Sequence, residues 1–263
     1  MKAHINGVDL AYTDQGQGTP IVFVHGFPLS RVMWDPQVKV LSGQFRVITL
    51  DLRGHGESDA PLWLYTMDQF ADDIKGLLDH LSIQKAVLAG FSMGGYVVFA
   101  FYRKYADRVK GLVLADTRPQ PDSAEGRVGR FKMAQMAQKD GAGAIADVML
   151  PKLLSPASVQ GRSELVQTVR TMMTTTKVPG IAGDLMAMAE RPDSVPTLKQ
   201  IACPTLVIVG ELDGLTTPVD ARHMADGIRG ARLETIPAAA HLSNMEQPET
   251  FNRAVKSFLE TIK

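Results

Sequence analysis

Short apolar runs, rich in β-branched residues, punctuate the chain and read as strands. They are Val8 to Thr13, Ile21 to His25, Arg46 to Leu50, Ala86 to Ala89, Gly111 to Leu114, Thr205 to Val209 and Leu233 to Ile236. From Ile21 onward they hardly alternate, which suits parallel strands covered on both faces. Between them the apolar period becomes helical. Phe70, Ile74, Leu77, Leu78 and Leu81 share one face, behind a capping-box start at Thr66 and Gln69. Phe251, Val255, Phe258, Leu259 and Ile262 share another, behind Pro248 in the first turn. Strands alternating with helices predict an α/β sheet built from βαβ units.

The alternation stops between about 118 and 192. Helix-length pieces there are separated by Gly126, Gly141, Pro151, Pro156, Gly161, Pro179 and Gly180, with no strand signal. This predicts an all-helical insertion between two consecutive strands. It is rich in methionine, with Met133, Met136, Met149, Met172, Met173, Met186 and Met188.

Composition narrows the function. The 263 residues are 45% hydrophobic and 21% charged, as in an ordinary globular chain. Lys plus Arg and Asp plus Glu both number 28, so no net charge draws the chain to nucleic acid or to an anionic membrane. The single cysteine, Cys203, excludes an intramolecular disulfide framework and a multi-cysteine zinc site, and suits a reducing, cytoplasmic setting. The first residues carry no apolar signal-peptide core. Ala86 to Tyr102 is uncharged throughout, but Gly90, Ser92, Gly94 and Gly95 break it into strand, turn and helix rather than a membrane span.

That break carries the strongest chemical signal. Gly90-Phe91-Ser92-Met93-Gly94 is a G-x-S-x-G turn with a strand before it and a helix after it. Such a turn holds its serine in a strained conformation above the sheet edge, with the next N–H at a helix start. A serine hydroxyl needs a base and a group to orient that base. His223 and His241 are the histidines that follow. His223 falls within a helical stretch, Val219 to Ile228, and reads as a surface residue. His241 ends the small-residue loop after strand Leu233 to Ile236, at the sheet edge where sites collect. For the acid, Asp213 in Gly210-Glu211-Leu212-Asp213-Gly214 is the first choice, with Glu211 and Asp116 as rivals.

An oxyanion hole needs two N–H groups. Met93 supplies one, and Phe27, in the His25-Gly26-Phe27-Pro28 loop, is the expected second. His25 reads as a loop-holding residue rather than a base. Asp51 to Ser58 has no phosphate-loop lysine and no helix straight after it, so it reads as a structural turn.

Taken in order, these motifs resemble the α/β-hydrolase superfamily: the 25–28 loop, the 51–58 turn, the Ser92 elbow, Asp213, and His241 with Glu246 and Pro248 downstream. Phe23 to Leu29, Gly90 to Tyr96, Leu114 to Arg118 and Met188 to Ser194 are similar to small bacterial carboxylesterases and 3-oxoadipate enol-lactonase-like hydrolases. The resemblance implies a mostly parallel eight-stranded sheet and no cofactor. It also implies a helical cap at 118–191, between core segments 1–117 and 192–263. Ser92 argues against the dehalogenases and epoxide hydrolases of this fold, which carry aspartate there.

The expected activity is hydrolysis of short-chain, uncharged carboxylic esters. Met133, Met149, Met172 and Met186 are the pocket candidates, because methionine fills irregular apolar cavities adaptably. An enol-lactonase, a C–C bond hydrolase or a perhydrolase would use the same serine, histidine and aspartate. A dianionic lactone would need arginines in the pocket, Arg118 being the nearest by sequence. A non-catalytic ligand receptor is a third reading. The expected partner is a small ester, with no metal, nucleic acid or membrane, and the chain acting as monomer or homodimer.

Overall fold

The computed structural model describes residues 1–62 and 64–262. Among them, eight strands form one sheet: β1 Lys2–Ile5, β2 Val8–Gln15, β3 Pro20–Val24, β4 Arg46–Leu50, β5 Ala86–Phe91, β6 Val109–Ala115, β7 Thr205–Gly210 and β8 Arg232–Ile236. Their order is β1-β2-β4-β3-β5-β6-β7-β8. β1 pairs antiparallel with β2, and β2 with β4; all other pairings are parallel. The near-continuous apolar runs are the central strands: every residue of β5 and β7 is buried. The sequence pattern missed β1. Four residues with alternating burial on an edge strand carry too little periodicity to stand out.

Among the described residues the α-helices are α1 Asp35–Leu41, α2 Met67–His80, α3 Met93–Tyr105, α4 Ala124–Leu153, α5 Pro156–Gly161, α6 Ser163–Thr175, α7 Val178–Ala189, α8 Val195–Leu198, α9 Pro218–Gly227, α10 Ser243–Glu246 and α11 Pro248–Leu259. α2 buries Phe70, Ile74, Leu77 and Leu78 as its period requires. Thr66 caps it by accepting from the Gln69 N–H at 3.0 Å. The reciprocal half of the capping box is absent, since Gln69 Oε1 has no partner among the described residues. α11 buries Phe251, Val255, Phe258 and Leu259.

Helices α4 to α7 lie between β6 and β7 and pack on one another. Not every glycine and proline there is a break. Gly141, at φ 80°, does interrupt α4. Gly126 instead sits in the first turn of α4, its N–H donating to the capping Ser123 hydroxyl at 3.1 Å. Pro151 lies inside the last turn of α4, and Gly180 inside α7. Gly180 is small for a different reason: a Cβ there would overlap the Gly54 backbone.

That contact is part of a seam holding the helical segment to the sheet loops. His55 Nε2 lies 3.0 Å from Asp184 Oδ2, both side chains fully buried. The Thr176 hydroxyl donates to the Pro28 carbonyl at 3.0 Å, and Lys177 Nζ to the Ser58 carbonyl at 3.1 Å. Inside the 51–58 turn, Asp51 pairs with the Arg31 guanidinium and accepts the Glu57 N–H at 3.0 Å. The turn is thus built around a buried carboxylate and receives the helical segment. No helix among the described residues is long and apolar enough to cross a membrane.

Candidate active site

Parallel strands send their carboxyl ends to one sheet edge, so the loops after β3, β5, β6, β7 and β8 meet there. After β5 the chain turns into α3 through Ser92 alone, at φ 51° and ψ −115°. Few non-glycine residues adopt a positive φ, and such strain persists only where its surroundings enforce it. Here neighbouring elements do so. The Ser92 N–H donates to the Ala115 carbonyl at 3.0 Å, and the Thr117 hydroxyl donates to the Ser92 carbonyl at 2.7 Å. A Cβ on Gly94 would strike the Val24 carbonyl, so glycine is required for this approach.

Ser92, His241 and Asp213 come together. Ser92 Oγ is 2.9 Å from His241 Nε2, and His241 Nδ1 is 2.8 Å from Asp213 Oδ2. A neutral imidazole satisfies both contacts: Nδ1–H donates to the carboxylate and Nε2 accepts the serine proton. Asp213 Oδ1 also accepts the N–H groups of Leu215 at 2.8 Å and Thr216 at 3.1 Å. The Thr216 hydroxyl donates to Oδ2 at 2.8 Å. Burial pushes the Asp213 carboxyl up, but His241 and these hydrogen bonds outweigh it and hold it below the ordinary carboxylate value.

The rival residues lie elsewhere. Glu211 accepts the Ala238 N–H at 2.9 Å, on the exposed side of the His241 loop. Asp116 is fully buried and bonds Gly210 and Ser243. His223 is exposed on α9. His25 donates from Nδ1 to the Gly26 carbonyl and accepts the Leu52 N–H at Nε2, both at 3.0 Å. Burial and the nearby His55 push its imidazole well below the ordinary value, so it stays neutral in that bridge.

Phe27 lines the same cavity as Ser92 and His241. Met93 is the first residue of α3, so its N–H has no intrahelical acceptor.

The cavity holds about 200 Å³ and is lined by Phe27, Ser92, Tyr96, Arg118, Arg130, Met133, Met149, Lys152, Met188, Leu215, Thr216 and His241. It is smaller than pockets for drug-sized ligands, roughly 300–1,000 Å³. A larger hollow of about 560 Å³, beside Asp35 and Arg162, contains neither Ser92 nor His241.

Two of the four methionines expected in the pocket lie outside this cavity. Met133 and Met149 line the cavity; Met172 and Met186 do not. Met172 faces a groove with Ser30, Arg31 and Thr171, and Met186 a surface groove with Leu62 and Leu64. Helical rotation explains Met186: Met188 is two residues on, about 200° around the axis, and faces inward instead. Composition shows how many methionines a helix has, not which way each points.

The apolar cap also implied a neutral wall, whereas Arg118, Arg130 and Lys152 face the cavity. Asp122 sits behind them, 3.3 Å from Arg118, 2.9 Å from Arg130 and 2.9 Å from Arg191. The Arg191 guanidinium carbon lies 4.1 Å from the centroid of the Tyr96 ring. Tyr96, Arg130, Lys152, Met188, Leu215 and Thr216 also line the cavity, and the sequence pattern alone does not single them out. Arg130 stands three residues before Met133 on α4, and Lys152 three residues after Met149, so each shares a helix face with a lining methionine. Among the described residues, no group of three or more His, Cys, Asp or Glu could hold a metal ion.

Residues 19–248 match the alpha/beta hydrolase fold family, and the chain belongs to it. It is a hydrolase of that fold. It is 31% identical to 3-oxoadipate enol-lactonase 2 of Acinetobacter baylyi, over 96% of this chain and 94% of that one. Among solved structures, a thermophilic esterase from Thermogutta terrifontis, with malate bound, has a TM-score of 0.97 and 42% identity, covering 100% of this chain and 98% of that one. The enol-lactonase from Burkholderia xenovorans LB400 has a TM-score of 0.93 and 34% identity, covering 99% and 100%.

Proposed function

We propose that the chain cleaves small carboxylic esters or lactones through an acyl-enzyme on Ser92. One observation carries this reading: the continuous hydrogen-bonded line from Ser92 Oγ through His241 to Asp213 at the floor of a small cavity. Ser92 Oγ attacks the carbonyl carbon as His241 Nε2 takes its proton. Asp213 holds the required tautomer and stabilises the imidazolium. The Phe27 and Met93 N–H groups receive the developing oxyanion, at the positive end of α3. His241 then protonates the leaving oxygen, which stays tethered to the acyl group if the substrate is a lactone. Water, deprotonated by His241, attacks the acyl-enzyme and releases the acid.

The test is covalent labelling together with a substrate panel. Phenylmethylsulfonyl fluoride should add one sulfonyl group, located on Ser92 by peptide mass spectrometry. p-Nitrophenyl esters from C2 to C12, run beside a β-keto enol-lactone, should show turnover confined to short acyl groups or to the lactone. Labelling elsewhere, or turnover only of long chains, would contradict the reading.

A second observation favours substrates that also carry a carboxylate. Arg118, Arg130 and Lys152 face a cavity with one buried carboxylate behind them, so the wall carries surplus positive charge. Guanidinium groups bind carboxylates by charge-assisted, often bidentate hydrogen bonds. The 3-oxoadipate in the relative's name and the malate in the similar esterase are both dicarboxylates, which supports the same chemistry here.

A further inference from the structure

Asp116 lies where the three loops bearing Ser92, Asp213 and His241 meet, yet it touches none of the reacting atoms. Its backbone follows β6 in a left-handed conformation, φ 45°. Its N–H donates to the Ile208 carbonyl of β7 at 2.8 Å. Its side chain spans two further loops. Oδ1 accepts the Gly210 N–H at 2.8 Å, at the root of the Asp213 loop. Oδ2 lies 2.5 Å from Ser243 Oγ, two residues beyond His241. On either side, Ala115 accepts the Ser92 N–H and Thr117 donates to the Ser92 carbonyl.

The surroundings are hostile to charge. Asp116 is fully buried, and among the described residues its hydrogen bonds include no basic partner. The ionisable groups facing it are the carboxylates of Asp213, from the loop after β7, and Glu246, from α10. Glu246 is itself buried, accepting the N–H groups of Ala240 at 2.7 Å and Ser155 at 2.9 Å. Asp213 is engaged by His241. A third anion within this group would be desolvated and repelled by both others. Burial, then Asp213, raise the Asp116 carboxyl well above its ordinary value.

Resting on the reading of Ser92, His241 and Asp213 as the reacting triad, we propose that Asp116 is its positioning residue, a neutral carboxylic acid that ties the Asp213 and His241 loops to the Ser92 elbow. In that form Oδ2–H donates to Ser243 Oγ while Oδ1 accepts from Gly210. The neutral acid supplies the bridge without a second negative charge beside the imidazolium.

Asparagine keeps the essentials of a neutral acid, a carbonyl that can accept from Gly210 and an NH2 group that can donate to Ser243, so Asp116→Asn separates this proposal from an ionised Asp116. Asp116→Asn should keep kcat within about threefold and leave the acid limb of kcat/KM in place, whereas Asp116→Ala should lower kcat about 10- to 100-fold at nearly constant KM. An ionised Asp116 would stabilise the imidazolium, so Asp116→Asn would then move the acid limb down by about one pH unit. Infrared difference spectra of wild type against Asp116→Asn should also contain the carbonyl band of a protonated carboxylic acid. That readout needs neither activity nor a folded alanine variant.

A shifted acid limb, a missing band, or an asparagine variant as damaged as alanine would overturn the proposal. Ser92→Ala, measured alongside, keeps the two readings apart. Its retained activity would remove the triad, while its loss together with a shifted Asp116→Asn profile would remove only the role given to Asp116.

Discussion

The wall of the Ser92 cavity that comes from the sheet loops and the wall that comes from the helical segment differ in what holds their side chains. On the sheet side, the functional groups sit on the loops that follow β3, β5, β7 and β8 and are fixed by buried partners. His25 bridges Gly26 and Leu52 beneath Phe27, Glu246 holds the Ala240 N–H beside His241, and Asp213 accepts from four donors. On the helical side, the lining groups are long, flexible side chains. Arg118 and Arg130 share Asp122, Lys152 is exposed, and Met133 is half-buried. Bond making demands geometry held within a fraction of an ångström. Binding an acyl or carboxylate group tolerates side chains that adapt. Rate should therefore depend on the first wall and substrate choice on the second.

The largest expected effect breaks the sheet-side wall. Ser92→Ala should lower kcat on the order of 10⁴-fold or more, leaving only what binding and the oxyanion donors supply. Stopped assays with a short p-nitrophenyl ester check this, and near-native turnover would refute Ser92 as nucleophile. Asp213→Asn should cost about 10⁴ in kcat, because the amide favours the wrong tautomer and leaves the imidazolium unsupported. Asp116→Asn should be nearly silent beside it, and the reverse ranking would transfer the acid's role to Asp116.

Asp213 also has a pH signature. Its folded value is depressed, so it contributes stability above the unfolded carboxyl value of about 3.9. That contribution is lost as pH falls through the folded value. Asp213→Asn should therefore flatten the acid side of a Tm-against-pH curve, and an unchanged slope would contradict the depressed value.

On the helical wall, effects should be smaller and substrate-dependent. Arg118→Gln or Arg130→Gln should lower kcat/KM for a monoalkyl succinate about 10- to 100-fold, the range of one lost charge-assisted hydrogen bond. Turnover of the matching neutral butyrate should stay within about threefold. Equal losses on both esters would mean that these arginines hold the fold rather than the substrate.

The smallest effect separates methionines that line the cavity from those that do not. Met149→Ala should shift the preferred acyl length, each added methylene gaining up to about 0.8 kcal/mol, or about fourfold in kcat/KM. Met172→Ala should leave the profile's shape alone. A shift in Met172→Ala as large as in Met149→Ala would erase that distinction.

The amino-acid sequence by itself determined the alternation of strands and helices, the helical segment after β6, and Ser92, Asp213 and His241 as the residues to watch. These are local matters. A parallel strand buried on both faces must be apolar along its length, as β5 and β7 are. The turn after β5 needs small residues within a few positions of Ser92. Parallel strands then bring their loop residues to one edge whatever lies between them.

Only the tertiary structure decided the rest, because it depends on directions and distances between segments far apart in sequence. Met186 and Met188 are alike in composition, and their rotation about α7 puts one on the surface and the other in the cavity. Arg130 and Lys152 stand 22 positions apart on α4, on either side of the kink at Gly141, and both line the cavity. Gly180 looks like a helix breaker and is a contact with Gly54, 126 positions earlier. Asp116 carries no local mark of its bonds to Gly210 and Ser243. Its place between two other carboxylates exists only once β6, β7 and β8 lie side by side.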